Sequence, residues 1–404
     1  MEKFDVVVVG AGPSGASTAF FLARQGIHVA LLDKSTFPRD KICGDGIGPR
    51  AAEMLDKMGL YAWLTSGKYH RCDSARLFAS DGSYFEAQIP VEDCRYPHFH
   101  MVPRLEFDHT LLTTAEVAGA TVYTNRKATG MLTSDGAITG IKAIYNGDEV
   151  EIACRAVICA DGTHGTFAKC TGIECVKPHA FAVRAYYTGI KGPDDCINVF
   201  VDEHIPEGYA WIFPTGNSGA NIGLGLSTLV LKERSIDTKA LMNWFMAEKD
   251  TSPIDLSGAT AQTEIKGAHL RMGYGRHDVV ADGVMLVGDA AALISPLSGE
   301  GIAYALESGE QAAYAMKRAL DKGDVSAASL KVYQDFLAKN FFSEHRQGEF
   351  IRQLFARSNY KSMDWMLKRG IQHPELAGKF VSVMMSTTRP SALLTPKVLR
   401  YYMF

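Results

Sequence analysis

The sequence predicts an α/β fold, α+β overall, on three observations. A run of four valines, Val6 to Val9, leads into Gly10, Gly12 and Gly15 and then into a stretch of small residues, as a buried strand, a tight turn and a helix would. Nearly three hundred residues later a second buried strand, Val284 to Val287, runs into GDAAALISPLSGEGI, Gly288 to Ile302, another glycine-rich turn ahead of a helix. Between them, residues 180–270 alternate largely in strand fashion, and from about residue 300 the pattern is helical. The expected architecture is therefore a Rossmann-like nucleotide-binding layer carrying a mainly antiparallel β insertion and a C-terminal helical region.

In chain order, residues 4–9 and 27–33 are expected as parallel strands around a helix from Gly15 to Gln25, a right-handed βαβ unit. A cysteine-containing loop precedes a helix from Pro49 to Met58. Tyr61 to His100 shows strand alternation with a turn at Ser80-Asp81-Gly82-Ser83, a first insertion. Pro103 to Glu116 is expected as a helix, followed by short strands around Thr121, Met131 and Ile141, with turns at Asp135-Gly136 and Asn146-Gly147. Ala156 to Cys159 returns as a short buried strand ending at Asp161-Gly162. The expected division is discontinuous: 1–60, 101–175 and 271–330 in the nucleotide-binding part, 61–100 and 176–270 as substrate-side insertions, and 331–404 as the C-terminal helical region.

Composition narrows the classes. At 404 residues the chain exceeds a single core, and 47% hydrophobic with 22% charged residues is ordinary for a soluble globular protein. A formal net charge of -3 without a dense basic run argues against nucleic-acid binding. The eight cysteines form no CxxC pair and all precede residue 197, so reduced thiols in a cytoplasmic setting are expected, without a metal site or a C-terminal iron–sulfur module. Neither a signal peptide nor an apolar run of roughly 18 residues is visible. From Leu376 to Phe404 no acidic residue occurs, while Lys379, Arg389, Lys397 and Arg400 alternate with apolar residues. Two readings are open there: a packed helical lobe with a solvated basic face, or a surface resting peripherally on the cytoplasmic face of a membrane.

The chemistry sits in short segments. Gly10, Gly12 and Gly15 provide the tight turn, the close approach of backbone to pyrophosphate and the close helix–strand packing of a dinucleotide site. Asp33, 18 residues after Gly15 at the end of the second strand, stands where a carboxylate binds ribose hydroxyls; a helix N-cap is its alternative role. Asp289 at a strand end suits the ribityl hydroxyls, and Gly299 and Gly301 let backbone amides approach the ring and pyrophosphate, which narrows the dinucleotide to FAD. A strand–turn–helix of purely structural purpose is the other reading of that segment.

Four further segments carry a resemblance: KICGDGIG (Lys41 to Gly48), PRLEFDHTLL (Pro103 to Leu112), CADGTHG (Cys159 to Gly165) and PEGYAWIFP (Pro206 to Pro214). With them, residues 1–330 resemble the geranylgeranyl reductase family, prenyl-lipid reductases within the flavoproteins of the para-hydroxybenzoate hydroxylase type. The resemblance implies that Ser14 and Gly15 lie at the pyrophosphate and Asp33 at the ribose. It also places Cys43, Gly44 and Gly46 near the isoalloxazine, with Arg104 at the cofactor. Ala128 would meet the adenine through its backbone, and Asp161, Asp289, Gly301 and Ile302 would complete the site. Thr163, Thr166 and Lys169 stand where the usual Ser and Arg follow the Asp-Gly pair, which weakens monooxygenase-style nicotinamide docking.

Cys43 is either a small packing residue or a thiol lining the flavin face. Tyr209, Trp211 and Phe213 alternate on one strand and share a face, which either packs on the core or forms an aromatic wall for a polyisoprenoid chain. Cys43, Tyr209 and Trp211 are the candidate substrate-facing residues. His98 and His100 have HxH spacing, which a strand with an exposed face explains better than a metal site. The expected reaction is saturation of isolated double bonds of a prenyl chain by hydride from reduced flavin. The proton donor is open among Tyr209, Cys43 and water, and the reductant among NAD(P)H, ferredoxin and another carrier, with an electron-donor protein as a partner in the latter cases. A flavin monooxygenase or halogenase is the alternative on the same fold, although YAWIFP replaces the WxWxIP of halogenases. A quinone-linked electron-transfer dehydrogenase is a third.

Overall fold

The computed structural model describes residues 2–92, 94–192, 195–248, 253–358 and 361–403. Phe404, the end of the expected C-terminal segment, lies outside them.

A six-stranded sheet forms the centre, in the order 280–281, 284–286, 156–159, 6–9, 29–32 and 121–123. All neighbours pair in parallel except 280–281, which runs antiparallel to 284–286. Val6–Val9, Val29–Leu32 and Ala156–Cys159 are buried at every position, as strands covered on both faces must be. The helices Pro13–Arg24, Arg104–Val117 and Ile302–Asp321 pack together beside this sheet. The strands Arg126–Ser134, Ala137–Tyr145 and Asp148–Ala153 form an antiparallel layer whose Ile141, Ala143 and Ile152 join the same core. These strands are longer than the short ones expected, because the Asp-Gly and Asn-Gly turns close two tight hairpins.

The insertions meet in a sheet that their separation along the chain conceals. Ser74–Phe78 from the first pairs in parallel with Cys196–Phe200 from the second, Ser74 opposite Cys196. The remaining strands of 180–270 add antiparallel neighbours. That region is mostly β, as expected, but also contains the helices Thr228–Glu233 and Thr238–Glu248, which its alternation does not announce. Met242 and Phe245 of the longer helix cover one face of the sheet beside Phe200, Ile212 and Ile222. The C-terminal helices cover the other, with Phe355, Met363, Leu367 and Phe380 packed on Leu77, Phe85 and Val199. The exposed strand face expected at His98 and His100 is also absent. Phe99–Met101 is buried throughout and His100 is 3% exposed, while His98 pairs with Asp73 at 2.9 Å. Among the described residues no group of His, Cys, Asp and Glu could hold a metal ion, and no helix is long and apolar enough to cross a membrane.

Candidate flavin and substrate cavity

A cavity of about 880 Å³ opens at the carboxyl ends of the parallel strands, between the central sheet, the sheet joining Ser74–Phe78 to Cys196–Phe200, and the C-terminal helices. Every residue singled out from the sequence for cofactor or substrate lines it, except Gly15, which lies behind the wall. A Cβ on Gly15 would sit 1.7 Å from the Gly10 carbonyl oxygen, and one on Gly10 would sit 2.3 Å from the Ala160 carbonyl oxygen. The turn therefore exists only at the closest approach of helix, first strand and neighbouring strand.

The two distant glycine segments touch. A Cβ on Gly288 would meet the Ser14 hydroxyl at 2.6 Å, and the Ser17 hydroxyl donates to the Leu306 carbonyl at 2.8 Å. The N-termini of the helices Pro13–Arg24 and Ile302–Asp321 thus converge on one cavity with two positive dipole ends, the second already holding the Glu300 carboxyl, which accepts the Ala303 amide at 2.8 Å. Asp33 ends the second strand. Its Oδ2 accepts the Ala11 amide at 2.9 Å and its Oδ1 the Ser35 amide at 2.8 Å, which leaves lone pairs for a ligand hydroxyl. Asp289 faces the cavity with Lys41 Nζ 3.3 Å from Oδ2, and Ala128 borders it from the hairpin layer. Asp161 is a different case: its Oδ2 accepts the Phe167 and Ala168 amides at 2.9 and 3.1 Å and folds the following turn, while its buried Oδ1 has no hydrogen-bond partner.

On the wall beside Cys43, Arg104 makes a two-pronged pair with Asp108, Nε to Oδ1 at 2.7 Å and Nη2 to Oδ2 at 2.8 Å, with both residues buried. Burial pushes the Cys43 thiol up from its ordinary range, an effect the nearby Arg104 guanidinium partly offsets, so the sulfur is a neutral thiol near neutral pH. Opposite stand the aromatic side chains of Gly208–Gly216. Tyr209, Trp211 and Phe213 all face the cavity, while the alternate residues Ala210 and Ile212 enter the core on the far side of the sheet. The Tyr209 hydroxyl donates to the Ser298 carbonyl at 2.7 Å, next to Gly299, and burial raises its pKa. Gly44 faces the Phe213 ring and the Trp211 indole, and Gly46 faces Phe99, so the Cys43 loop and the aromatic strand form one surface.

Sequence reasoning passed over several cavity residues. Arg39 donates to Asp108 Oδ2 at 2.8 Å and lies 3.8 Å from Asp33, linking that acid to the buried pair. Asp45 and Asn221 form the polar backing of the Cys43 loop. A lone basic or amide residue in a loop or strand carries no periodic signal. Only the Gly-Asp-Gly pattern around Asp45 could have drawn notice.

The fold and the cavity define a flavoprotein oxidoreductase of the two-glycine-segment type. Residues 3–335 match the family model described as FAD binding domain. The chain is 33% identical over 321 residues to a menaquinone reductase of Mycobacterium tuberculosis, covering 77% of this chain and 76% of that protein. It is 30% identical over 354 residues to a digeranylgeranylglycerophospholipid reductase 2 of Methanopyrus kandleri, covering 84% and 83%. Among solved structures, a geranylgeranyl bacteriochlorophyll reductase-like protein from Thermoplasma acidophilum superposes with a TM-score of 0.85 at 23% identity, over 99% of this chain and 100% of that one. A flavin-dependent brominase superposes at 0.77 and 17% identity, over 99% of both chains, a likeness of fold alone. The chain belongs to the FAD-binding geranylgeranyl reductase family. Its cofactor is FAD, and it is an FAD-dependent oxidoreductase.

Proposed function

We propose that this enzyme saturates isolated double bonds of a prenyl chain carried by a lipid, a diphosphate or a quinone. The observation that carries the reading is the aromatic face of Tyr209, Trp211 and Phe213, turned into the cavity directly against the Cys43–Gly46 loop. The names of the menaquinone reductases and digeranylgeranylglycerophospholipid reductases among its relatives support it, since both are reductases of prenylated molecules. In this reading residues 1–60, 101–175 and 271–330 hold the flavin, the two insertions supply the aromatic wall, and 331–404 closes the far side of the cavity. Gly10, Gly12, Ser14 and Gly15 would hold the pyrophosphate, Asp33 and Ala128 the adenosine, and Asp289, Gly299, Gly301 and Ile302 the ribityl and ring, with Asp161 acting through the turn it folds.

FAD held in this cavity would, once reduced, supply the hydride for one alkene carbon, and a proton would complete the other, two electrons passing from the cofactor for each double bond saturated. The chain's contribution is to place the alkene and to favour the charge that develops on it. The indole face of Trp211 and the ring of Tyr209 attract positive charge at the more substituted carbon, while apolar residues such as Val199, Phe355 and Met384 exclude water from the chain. Dithionite-reduced enzyme incubated without oxygen with geranylgeranyl diphosphate, geranylgeranyl ether lipid or menaquinone is expected to add two hydrogens per double bond, read by mass spectrometry. The variant Trp211→Leu is expected to keep its flavin and slow the reaction by about 3- to 30-fold, the worth of a cation–π contact. No mass gain on any of the three substrates would end the prenyl-reductase reading.

We further propose that the enzyme meets its substrate at a membrane surface. Helix Phe342–Arg357 presents Arg346, Phe350, Leu354 and Arg357 along one exposed stripe, while Ile351 and Phe355 on its inner face join the core. Basic and apolar side chains together suit an anionic lipid interface, and the cavity lies directly beneath. Binding to vesicles containing phosphatidylglycerol, measured by co-sedimentation, is expected to fall at least about threefold in Phe350→Ser/Leu354→Ser, from the loss of apolar insertion. Equal binding by the double variant would remove this surface from consideration.

A further inference from the structure

Behind the Cys43 loop lies a closed hydrogen-bonded chain that the reaction as described does not use. Asn221, fully buried, is its hub. Its Nδ2 donates to the Cys43 carbonyl at 2.8 Å and to Asp45 Oδ2 at 2.8 Å, while its Oδ1 accepts the Trp211 Nε1 hydrogen at 3.0 Å. One amide therefore ties the thiol loop and the aromatic wall to the same carboxyl group. The Tyr186 hydroxyl also donates to Asp45 Oδ2. Arg184 stacks over the Tyr186 ring at 4.4 Å and pairs with Asp40 at 2.7 Å. Asp45 is 1% exposed, sits at a positive φ of 65°, and has an Oδ1 with no hydrogen-bond partner. A buried polar group in a left-handed backbone conformation is held there only where the surroundings over-determine it.

We propose that Asp45 is a positioning residue of the flavin site, whose carboxyl group, acting through the Asn221 amide, sets the placement of the Cys43 carbonyl and the Trp211 indole on the cavity wall. The inference rests on the flavin reading of the cavity. Oδ2 already takes two donors, so Oδ1 is the atom left to carry a proton, and the group has two states with different hold on Asn221. In the ionised state the Asn221 and Tyr186 bonds are charge-assisted; in the neutral state they weaken by roughly half. Both states are reachable near neutral pH. Burial pushes the carboxyl up to about 6, against the opposing pull of the Tyr186 and Asn221 hydrogen bonds and the charges of Arg184 and Arg104. The groups that face it are Tyr186 and Arg184 from strand Ala180–Thr188, Asn221 from Gly219–Ser227, Arg104 from the helix after Pro103, and Cys43 on its own loop.

The test follows flavin absorbance and tryptophan fluorescence of the FAD-loaded enzyme across pH, with no prenyl substrate present, so it stands or falls separately from the prenyl reading. The wild type is expected to titrate with a midpoint near 6, and Asp45→Asn to lose that titration. Tyr186→Phe, which keeps the ring, removes a donor that stabilises the carboxylate, so its midpoint is expected to rise by about one pH unit. Asn221→Leu is expected to abolish the optical response by cutting the link to Cys43 and Trp211. Persistence of the wild-type titration in Asp45→Asn would overturn the proposal. If that variant does not hold flavin, an unmoved or lowered midpoint in Tyr186→Phe would do so.

Discussion

Gly15→Val is expected to lower the affinity for FAD by at least about 100-fold, an effect of 2.7 kcal/mol or more. The reason is backbone against backbone. The added Cβ would lie 1.7 Å from the Gly10 carbonyl oxygen and 2.9 Å from its carbon, so no rotamer relieves the overlap. The helix Pro13–Arg24 must retreat from the first strand, and its N-terminal amides then leave the position proposed for the phosphate oxygens. Flavin absorbance of the purified protein, followed by titration of the stripped protein with FAD, measures the effect. Gly378→Ala is the matched control. It lies in the helix Pro374–Met384 with open space around its Cβ position, and is expected to be neutral or stabilising by up to about 1 kcal/mol. Wild-type affinity in Gly15→Val would disprove the assigned role of this turn.

Arg104→Met is expected to destabilise the fold by about 3 kcal/mol near neutral pH, a large share of the total for most domains. Arg104 and Asp108 are both buried and joined by two hydrogen bonds, so removing the guanidinium leaves a carboxylate in apolar surroundings with Arg39 as its remaining partner. The pH dependence has a definite sign. Burial pushes the Asp108 carboxyl up, but the Arg104 charge and hydrogen bonds outweigh it and hold the carboxyl below the usual range of about 3.8. A group with a depressed folded-state pKa contributes stability that is present above its unfolded value and lost as pH falls through the folded one. The deficit of Arg104→Met should therefore be full at pH 7 and narrow below pH 4, as wild type loses the same contribution. Denaturant unfolding at the two pH values tests it, and a deficit that grows on acidification contradicts the pairing. Arg104→Met/Asp108→Leu is expected to regain part of the loss, since no carboxylate is then stranded in the core, while Arg39 keeps Asp33, 3.8 Å away, as its partner. Arg104 also partly offsets the rise of the Cys43 thiol, so the single variant is expected to make that thiol less reactive toward alkylation at alkaline pH.

What was legible in the chain follows from how locally each feature is encoded. The strand–glycine–helix segments at Val6–Gly15 and Val284–Ile302 were readable because their geometry permits few residue types at fixed spacing. Alternation likewise placed Tyr209, Trp211 and Phe213 on one face, since strand side chains have a period of two. The helix Pro13–Arg24 differs from the expected Gly15 to Gln25 by two residues at most, as end fraying would allow. The helices inside 228–248 were missed because they are short segments in a region whose neighbours alternate. The burial of His100 was missed because one polar residue in a three-residue strand has no period to reveal its side.

The sequence by itself determined the cofactor, the central parallel layer and the aromatic face, each written in short segments whose residue types and spacing are locally readable, although the segments meet from distant parts of the chain. Only the tertiary structure decided that Ser74–Phe78 and Cys196–Phe200 pair as neighbours, that Arg39 bridges Asp33 and Asp108, and that Asn221 joins Cys43, Asp45 and Trp211. Of these, Arg39 to Asp108 spans 69 positions and Asn221 to Cys43 spans 178, and nothing in the intervening chain encodes them. They arise when apolar faces are buried together and each polar group carried inside must find a partner among whatever the packing brings within reach.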